Sequence, residues 1–282
     1  MQEILTAIQE CAIALSSALQ TDNTNYLATT NSSGDSQLAI DVKADRLIEE
    51  KMLGLDSVKG VCSEEKQEAI YKEKGTFLVA YDPLDGSSLF DSDLSVGSIF
   101  GIYKESFETK NLVGASYIVY GPRLELVFAS NVVEHYFYDG KSWILKPQIK
   151  LQQKGKINAP GGTQKNWSPT HKALVESFFA AGYRLRYSGG MVPDLHQILI
   201  KGGGIFSYPA TSDAPNGKLR KLFEVYPFAF IYEKAGGEAI STNGRILDSA
   251  CLNLHDTMEC YFGSKDEIAQ VRAALGYDEA KK

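Results

Sequence analysis

Two aspartates stand three residues apart in Asp82-Pro83-Leu84-Asp85-Gly86-Ser87-Ser88, and these residue types suit a site for a metal ion and a phosphate. Carboxylates are hard oxygen ligands for a divalent cation. The small, hydroxyl-bearing turn behind them offers backbone N–H groups to an oxyanion. A bare Asp-x-x-Asp is otherwise an ordinary Asx-type turn with two solvated side chains. Ser63-Glu64-Glu65 supplies two more acids, so that four carboxylates come from two loops. Magnesium commonly uses one or two carboxylates plus phosphate oxygens, so a richer set fits two or three ions better than one. A metal pair activates an attacking water and stabilises the leaving oxygen of an in-line displacement. Asp41, Asp45 and Glu49 recur every four residues on one helix face. That spacing describes either a solvated acidic face or one whose mutual repulsion a nearby cation offsets.

The chain has 29 Lys and Arg against 35 Asp and Glu, a net charge of −6, so no global basic field attracts nucleic acid or anionic lipid. An anionic substrate therefore needs local cations. Arg184 and Arg186 precede Tyr187-Ser188-Gly189-Gly190-Met191, Asn216-Gly217-Lys218-Leu219-Arg220 precedes Glu224, and Tyr208 stands before Pro209-Ala210. Lys and Arg beside glycine turns, with tyrosine hydroxyls in reach, suit a second phosphate held away from the reacting one. Asp91-Ser92-Asp93 imitates an aspartyl-phosphate motif, but Ser87-Ser88-Leu89-Phe90 before it is not the long apolar strand such chemistry needs. No apolar run approaches the roughly 18 residues of a membrane span. The N-terminus lacks a basic start and apolar stretch, and Cys11, Cys62, Cys251 and Cys260 form no C-x-x-C. Free thiols in a cytoplasmic protein are expected.

The elements that must position these residues follow from periodicity. Residues 2–19 carry a helical apolar stripe, 22–35 are rich in Asn, Thr, Ser and Gly and read as a mobile loop, and 40–53 form a second helix with Leu47, Ile48 and Met52 inward. Residues 77–81 read as a buried strand that stops at Asp82-Pro83. Strands follow over 98–103, 115–120 and 124–129, then a hairpin across Asp139-Gly140. The change of domain falls in the Lys/Gln-rich connector, dividing a metal- and phosphate-binding domain (1–155) from a sugar-phosphate-binding α/β domain (156–282). In the latter, Ser168-Pro169 opens a helix ending near Gly182, 183–187 is a strand, 193–201 a helix, and 205–208 a strand. A helix over 219–235 meets Pro227 in its first turn or at a kink, and Ser264-Lys265-Asp266-Glu267 reads as a capping box. The class is α/β or α+β.

These residues match a family. Asp82-Pro83-Leu84-Asp85-Gly86-Ser87-Ser88 followed by Val96-Gly97-Ser98-Ile99-Phe100-Gly101-Ile102-Tyr103 resembles class I fructose-1,6-bisphosphatase. Ser63-Glu64-Glu65, Arg186-Tyr187, Gly189, Met191-Val192, Tyr208-Pro209-Ala210, Pro215-Asn216-Gly217-Lys218-Leu219-Arg220 and Glu224 fall in the family's order. The resemblance implies the five-layered α-β-α-β-α sugar-phosphatase fold, a homotetramer, and Mg2+-dependent hydrolysis of the 1-phosphate of fructose 1,6-bisphosphate in gluconeogenesis. Two or three Mg2+ are implied, with Mn2+ or Zn2+ as substitutes. Carried over, it makes Glu64, Glu65, Asp82, Asp85 and Glu224 metal ligands with the carbonyl of Leu84 and Asp41. Gly86, Ser87 and Ser88 would hold the departing phosphate. Tyr187, Tyr208 and an Arg186 from a neighbouring subunit would hold the distal one. Lys218, Met191 and Gly189 would line the sugar, with Arg220 beside them. Glu65, helped by Asp41 or Asp45, would take the proton of the attacking water.

Departures from the pattern leave the sugar open. Asp45 falls one position short of the usual acidic partner of Glu65, and Arg46 stands there. Leu89-Phe90 replaces Asn-Ile. Ala159-Pro160-Gly161-Gly162, Tyr120-Gly121-Pro122-Arg123 and Gly189-Gly190-Met191-Val192-Pro193-Asp194 look like sedoheptulose-1,7-bisphosphatase. The alternatives are a sedoheptulose or dual-substrate bisphosphatase, an inositol-monophosphatase-like enzyme, or a sugar-phosphate-binding regulator without turnover. The start of the chain on its first helix, and Thr76-Phe77 where animal relatives carry Lys-Tyr, predict weak or absent AMP inhibition.

Overall fold

The computed structural model describes residues 1–21, 26–30 and 36–276, with residues 26–30 and 36–37 described by backbone alone. Helix α1 (Gln2–Thr21) buries Ile4, Ile8, Cys11 and Leu15, a stripe of three- and four-residue steps. Strands β1 (Tyr26–Thr30) and β2 (Ser36–Leu38) pair antiparallel where the sequence suggests only a loop. The rest of that stretch, and any closure over the site, lies outside the described residues. Helix α2 (Ala39–Leu53) follows, burying Ala44, Ile48 and Met52, with Leu47 only partly covered.

Strands β3 (Val58–Ser63), β4 (Ile70–Tyr71), β5 (Phe77–Asp85), β6 (Val96–Lys104), β7 (Leu112–Tyr120), β8 (Leu124–Ala129), β9 (Val133–Tyr138) and β10 (Trp143–Leu145) form one sheet. Its order is β10-β9-β8-β7-β6-β5-β3-β4. Neighbours are antiparallel except β3 and β5, which run parallel with Ser63 opposite Tyr81. That exception matters, because parallel neighbours end side by side. The acidic loops after β3 and at the end of β5 are therefore adjacent.

The second half contributes β11 (Ile157–Pro160), α3 (Pro169–Ala180), β12 (Arg184–Leu185), α4 (Met191–Ile200), β13 (Ile205–Tyr208) and β14 (Leu219–Arg220). After these come α5 (Tyr226–Lys234), β15 (Glu238–Ser241), β16 (Gly244–Arg245), β17 (Thr257–Met258), β18 (Cys260–Gly263) and α6 (Lys265–Leu275). A six-stranded sheet runs β12-β11-β13-β18-β15-β16, and β14 pairs separately with β17.

Side chains alternate across a strand, and the cores show where each face goes. Val79, Tyr81, Phe100, Ile102 and Ile118 pack with α1 and α2. Their neighbours Leu78, Ala80, Ile99, Tyr103 and Tyr117 face Leu195, Phe228 and Ile231 of α4 and α5, which also cover Phe206 and Phe262 of the second sheet. The outer face of that sheet, Ile205, Ile240 and Tyr261, carries Phe178 of α3 with Ile268 and Val271 of α6. The layers are α-β-α-β-α. At roughly 1.5–3 kcal/mol per fully buried large apolar side chain, the middle helix layer, apolar toward both sheets, is the strongest joint. On that face Glu125 of β8 also lies 2.7 Å from His135 Nε2 and 3.3 Å from His196 Nε2, tying α4 to the large sheet.

Four local expectations are corrected. The strand through Tyr81 continues to Asp85, since a bulge accommodates Pro83. The helix expected over 219–235 is only α5, because Pro227 has no N–H for the Phe223 carbonyl and the preceding residues Lys221–Val225 widen into a π turn. The strand expected over 183–187 is only Arg184–Leu185. The capping box does not form: Ser264 Oγ accepts from Gly204 N, while Glu267 accepts from Gly155 N and the Tyr183 hydroxyl. The four cysteines are free thiols, three of them buried.

Candidate active site

The bulge in β5 decides the geometry of the acidic pair. Asp82 lies opposite Ile99 and Asp85 opposite Gly97, so two β5 residues, Pro83 and Leu84, face the single Ser98 of β6. In a regular strand, residues three apart point to opposite faces. The extra residue restores the phase: Leu84 joins Tyr81 in the core under α1 and α2, and Asp82 and Asp85 both face the α4–α5 side. The Asp82 carboxylate also accepts from Leu84 N at 2.9 Å.

Asp85 reaches across to the start of α4, accepting from Met191 N at 3.2 Å and Val192 N at 2.7 Å. These are two of the donors a helix N-terminus leaves free. Close approach there depends on Gly97, whose Cβ would stand 2.4 Å from Val192 Cγ1. Glu224 comes from the π turn before α5, and its carboxylate accepts from Arg220 N at 2.6 Å. Asp82, Asp85 and Glu224 bring one carboxylate oxygen each within 4.8 Å of the others, all three residues buried. Glu64, whose N–H bonds the Tyr81 carbonyl, hydrogen-bonds Asp82 and forms an ion pair with Arg220 at 2.7 Å. Burial pushes Glu64 up to about 8, with Glu224 adding repulsion, and Asp85 up to about 7. Asp82 is raised by burial and by Glu64. A dry group of carboxylates that resists ionisation is what a bound cation would relieve, and its all-oxygen donor set suits a hard divalent ion.

Asp41 lies near Glu65 and Ser87. One of its oxygens accepts from Leu38 N at 2.8 Å and the other is buried without a hydrogen bond among the described residues. Burial lifts it to about 7, against the bond from Leu38 N and together with the charge of Glu65, and the Ser87 hydroxyl lies close enough to lower it slightly. Asp41, Glu65 and Ser87 thus converge. Asp45 is not brought to them: its carboxylate is held by the Tyr81 hydroxyl and Lys66 Nζ, both at 3.0 Å. The acidic face of α2 is not simply solvated, since Asp41 and Asp45 are buried.

Gly86 sits at φ +75°, and a Cβ there would meet Gly190 Cα at 3.2 Å, so the turn requires glycine. Ser87 and Ser88 open the short 3-10 turn Ser87–Ser92 that follows. Beside Asp85 opens a cavity of about 140 Å³, lined by Glu224, Arg220, Leu219, Lys218, Tyr208, Phe206, Tyr187, Gly189, Gly190 and Met191. Residues from distant parts of the second half are therefore gathered against the first. Arg220 lines this cavity while paired with Glu64. Arg186 does not line it: the side chain is exposed, with Nη1 on the Leu185 carbonyl.

Two supports escape a reading by motif. A Cβ on Gly161 would lie 2.4 Å from the Tyr208 ring and 3.3 Å from that of Tyr187, so this glycine seats both tyrosines. Asp194 accepts from Ser188 N at 2.8 Å and Gly189 N at 3.4 Å, fixing the turn at Gly189. Only the glycine pair in Ala159-Pro160-Gly161-Gly162 hinted at the first, and an acid in the first turn of a helix at the second.

A five-layered fold with buried carboxylates beside a Gly-Ser-Ser turn and a Lys- and Tyr-lined cavity defines a metal-dependent sugar phosphatase. The family description "Fructose-1-6-bisphosphatase, N-terminal domain" matches residues 1–145, and "Fructose-1-6-bisphosphatase, C-terminal domain" residues 151–276. The chain belongs to the class 1 fructose-1,6-bisphosphatase family. It is 58% identical to the Helicobacter hepaticus "Fructose-1,6-bisphosphatase class 1" over 95% of this chain and 97% of that one. It is 50% identical to the Campylobacter hominis protein of the same name over 98% and 100%. Among solved structures, Leishmania major fructose-1,6-bisphosphatase superposes with TM-score 0.92 at 32% identity, covering 97% of this chain and 94% of that one. A putative sedoheptulose-1,7 bisphosphatase from Toxoplasma gondii superposes with TM-score 0.90 at 30% identity, covering 97% and 93%.

Proposed function

We infer that this protein hydrolyses the 1-phosphate of fructose 1,6-bisphosphate, using Mg2+ and water, as a step of gluconeogenesis in the cytoplasm. The observation that carries the reading is the convergence of Asp82, Asp85 and Glu224 beside a cavity that also holds Lys218, Tyr187 and Tyr208. Cations bound by Glu64, Glu65, Asp82, Asp85, Glu224 and the Leu84 carbonyl would supply Lewis acidity toward the phosphoryl oxygens and the water.

The chain's own residues divide the remaining work. The turn Gly86, Ser87 and Ser88 orients the departing phosphate through its backbone N–H and hydroxyl groups. Glu65 accepts the proton of the attacking water, and Asp41, beside it, shares that proton; Asp45, held by Tyr81 and Lys66, takes no part. Tyr187, Tyr208 and Lys218 bind the distal phosphate and sugar, with Met191 and Gly189 as apolar wall and turn. Arg220 balances the acids rather than binding the sugar alone. Arg186 serves a neighbouring subunit's site in a homotetramer, a reading supported by its exposure just past the end of the edge strand β12. The division near residue 155 has support in the two sheets, built from residues up to 145 and from 157 onward.

Fructose is favoured over sedoheptulose because the relatives at 58% and 50% identity carry the fructose name, while the sedoheptulose protein is 30% identical. Phosphate release with Mg2+ from fructose bisphosphate, sedoheptulose bisphosphate and inositol monophosphate in parallel tests the reading. Faster turnover of the seven-carbon sugar would reverse the choice, and binding without release from any of them would remove the catalytic claim.

A further inference from the structure

The same bulge that brings Asp82 and Asp85 to one face is held from behind by a pair of hydroxyl groups. Ser98, fully buried on β6, stands opposite the two extra-numbered residues of β5 and donates its hydroxyl to the Pro83 carbonyl at 2.7 Å. Its oxygen lies 3.0 Å from the Tyr120 hydroxyl. A carbonyl carries no proton, so the single hydrogen of Ser98 belongs to that bond and Tyr120 must be the donor of the second. The chain of bonds is Tyr120 to Ser98 to Pro83. It runs on the α1–α2 face of the sheet, opposite the carboxylates.

Proline lacks an N–H, so the β5–β6 ladder cannot hold the bulge at residue 83 by an amide of its own. The serine hydroxyl supplies the missing link to the segment between the two acids. Without it, the Pro83 carbonyl has no polar side-chain restraint among the described residues, and the bulge keeps only the bond from Leu84 N to Asp82 and the packing of Leu84 to resist a shift. A shift of register by one residue would carry Asp85 to the other face of the sheet and away from Met191 N and Val192 N.

We propose that Ser98, oriented by Tyr120, is a positioning residue that locks the β5 bulge and so holds Asp82 and Asp85 in the spacing a divalent cation requires. This rests on the reading of Asp82 and Asp85 as metal ligands. Neither hydroxyl touches substrate or metal. They act through the backbone of Pro83.

The test is Mn2+ binding, followed by the electron paramagnetic resonance signal of the free ion, on the full chain and on Asp85→Asn, Ser98→Ala, Ser98→Thr and Tyr120→Phe. Thermal unfolding without metal is recorded for each. Loss of a group that orients a ligand typically weakens metal binding about 10- to 100-fold. Ser98→Ala should lose affinity by about tenfold or more on that basis. Ser98→Thr, which keeps the hydroxyl, should recover most of it, and Tyr120→Phe should fall between. Wild-type affinity in Ser98→Ala, with loss in Asp85→Asn, overturns the proposal while leaving the metal site intact. Wild-type affinity in Asp85→Asn instead removes the metal-site reading itself. Equal weakening in Ser98→Ala and Ser98→Thr would assign the effect to packing and overturn the role of the hydroxyl. Should Ser98→Ala fail to fold, Tyr120→Phe decides, and unchanged affinity there overturns the relay.

Discussion

Asp85→Asn separates the chemistry of the acidic cluster from its contribution to folding. The side chain is buried and both its oxygens accept backbone N–H groups at the start of α4. An asparagine can keep its oxygen on the shorter bond, from Val192 N at 2.7 Å, but then turns an N–H2 toward Met191 N. A buried donor left unsatisfied costs about 1–3 kcal/mol. Removing one carboxylate from a group that repels itself offsets part of that cost. The two effects leave the metal-free variant within a few degrees of the parent. The cation response isolates what remains. Metal at a hundred times its Kd stabilises a folded protein by about 2.7 kcal/mol. For a chain of 282 residues the unfolding entropy is roughly 0.6 kcal/mol per degree, so the parent's Tm should rise by about 4–5 °C. In Asp85→Asn that rise should vanish together with phosphate release. Comparing each protein with and without Mg2+ cancels the intrinsic cost of the amide. A variant that keeps both the rise and the turnover would refute the assignment of Asp85 as a ligand.

The remaining predictions concern other parts of the chain. His171 is buried against Trp167 with neither ring nitrogen hydrogen-bonded among the described residues, and burial lowers its pKa from 6.5 to about 4. The unfolded chain therefore takes up this proton first. Stability present above pH 6.5 is lost as pH falls toward 4, on the order of 3 kcal/mol. His171→Phe should flatten that part of a urea-unfolding series, and an unchanged slope would assign the acid loss elsewhere. Arg186→Ala removes one charge-assisted phosphate contact, worth about 1.5–3 kcal/mol, so KM should rise roughly tenfold or more with kcat nearly unchanged. Steady-state kinetics with an unaltered KM would take Arg186 out of the distal site. Gly161→Ala forces the Tyr208 ring aside, an overpacking that typically costs about 1–3 kcal/mol. It should raise KM more than it lowers kcat, and wild-type kinetics would show that the tyrosines need no such seat.

Much of the layered order was legible in the chain itself. The stripe in α1, the strands of the large sheet from β5 onward and the helix opened by Ser168-Pro169 follow from periodicity and capping, which are local, whereas β3 and β4 gave no such signal. The boundaries failed where a local rule met a tertiary demand. Pro83 reads as a strand end, yet the strand passes through it because a bulge and the neighbour β6 hold the chain. Pro227 stands in the first turn of α5, one of the two places its ring allows, but the residues expected to precede it as helix form the π turn that carries Glu224. Ser264 and Glu267 have the spacing of a capping box, but Gly204, Gly155 and Tyr183 engage them instead.

The site divides along the same line. The sequence by itself determined the residue types on offer, which are carboxylates, a small hydroxyl-bearing turn, and cations and tyrosines beside glycine turns, and through its motifs the family. Only the tertiary structure decided which of them meet. The parallel pairing of β3 with β5 set Glu64 beside Asp82, and the bulge turned Asp85 to the same face. Asp41 was placed with Glu65 and Ser87, while Asp45, one helical turn further on, was tied to Tyr81 and Lys66. Residue type and spacing along a chain specify what a side chain can do, but strand phase, register and burial determine where it points, and those depend on neighbours far away in sequence.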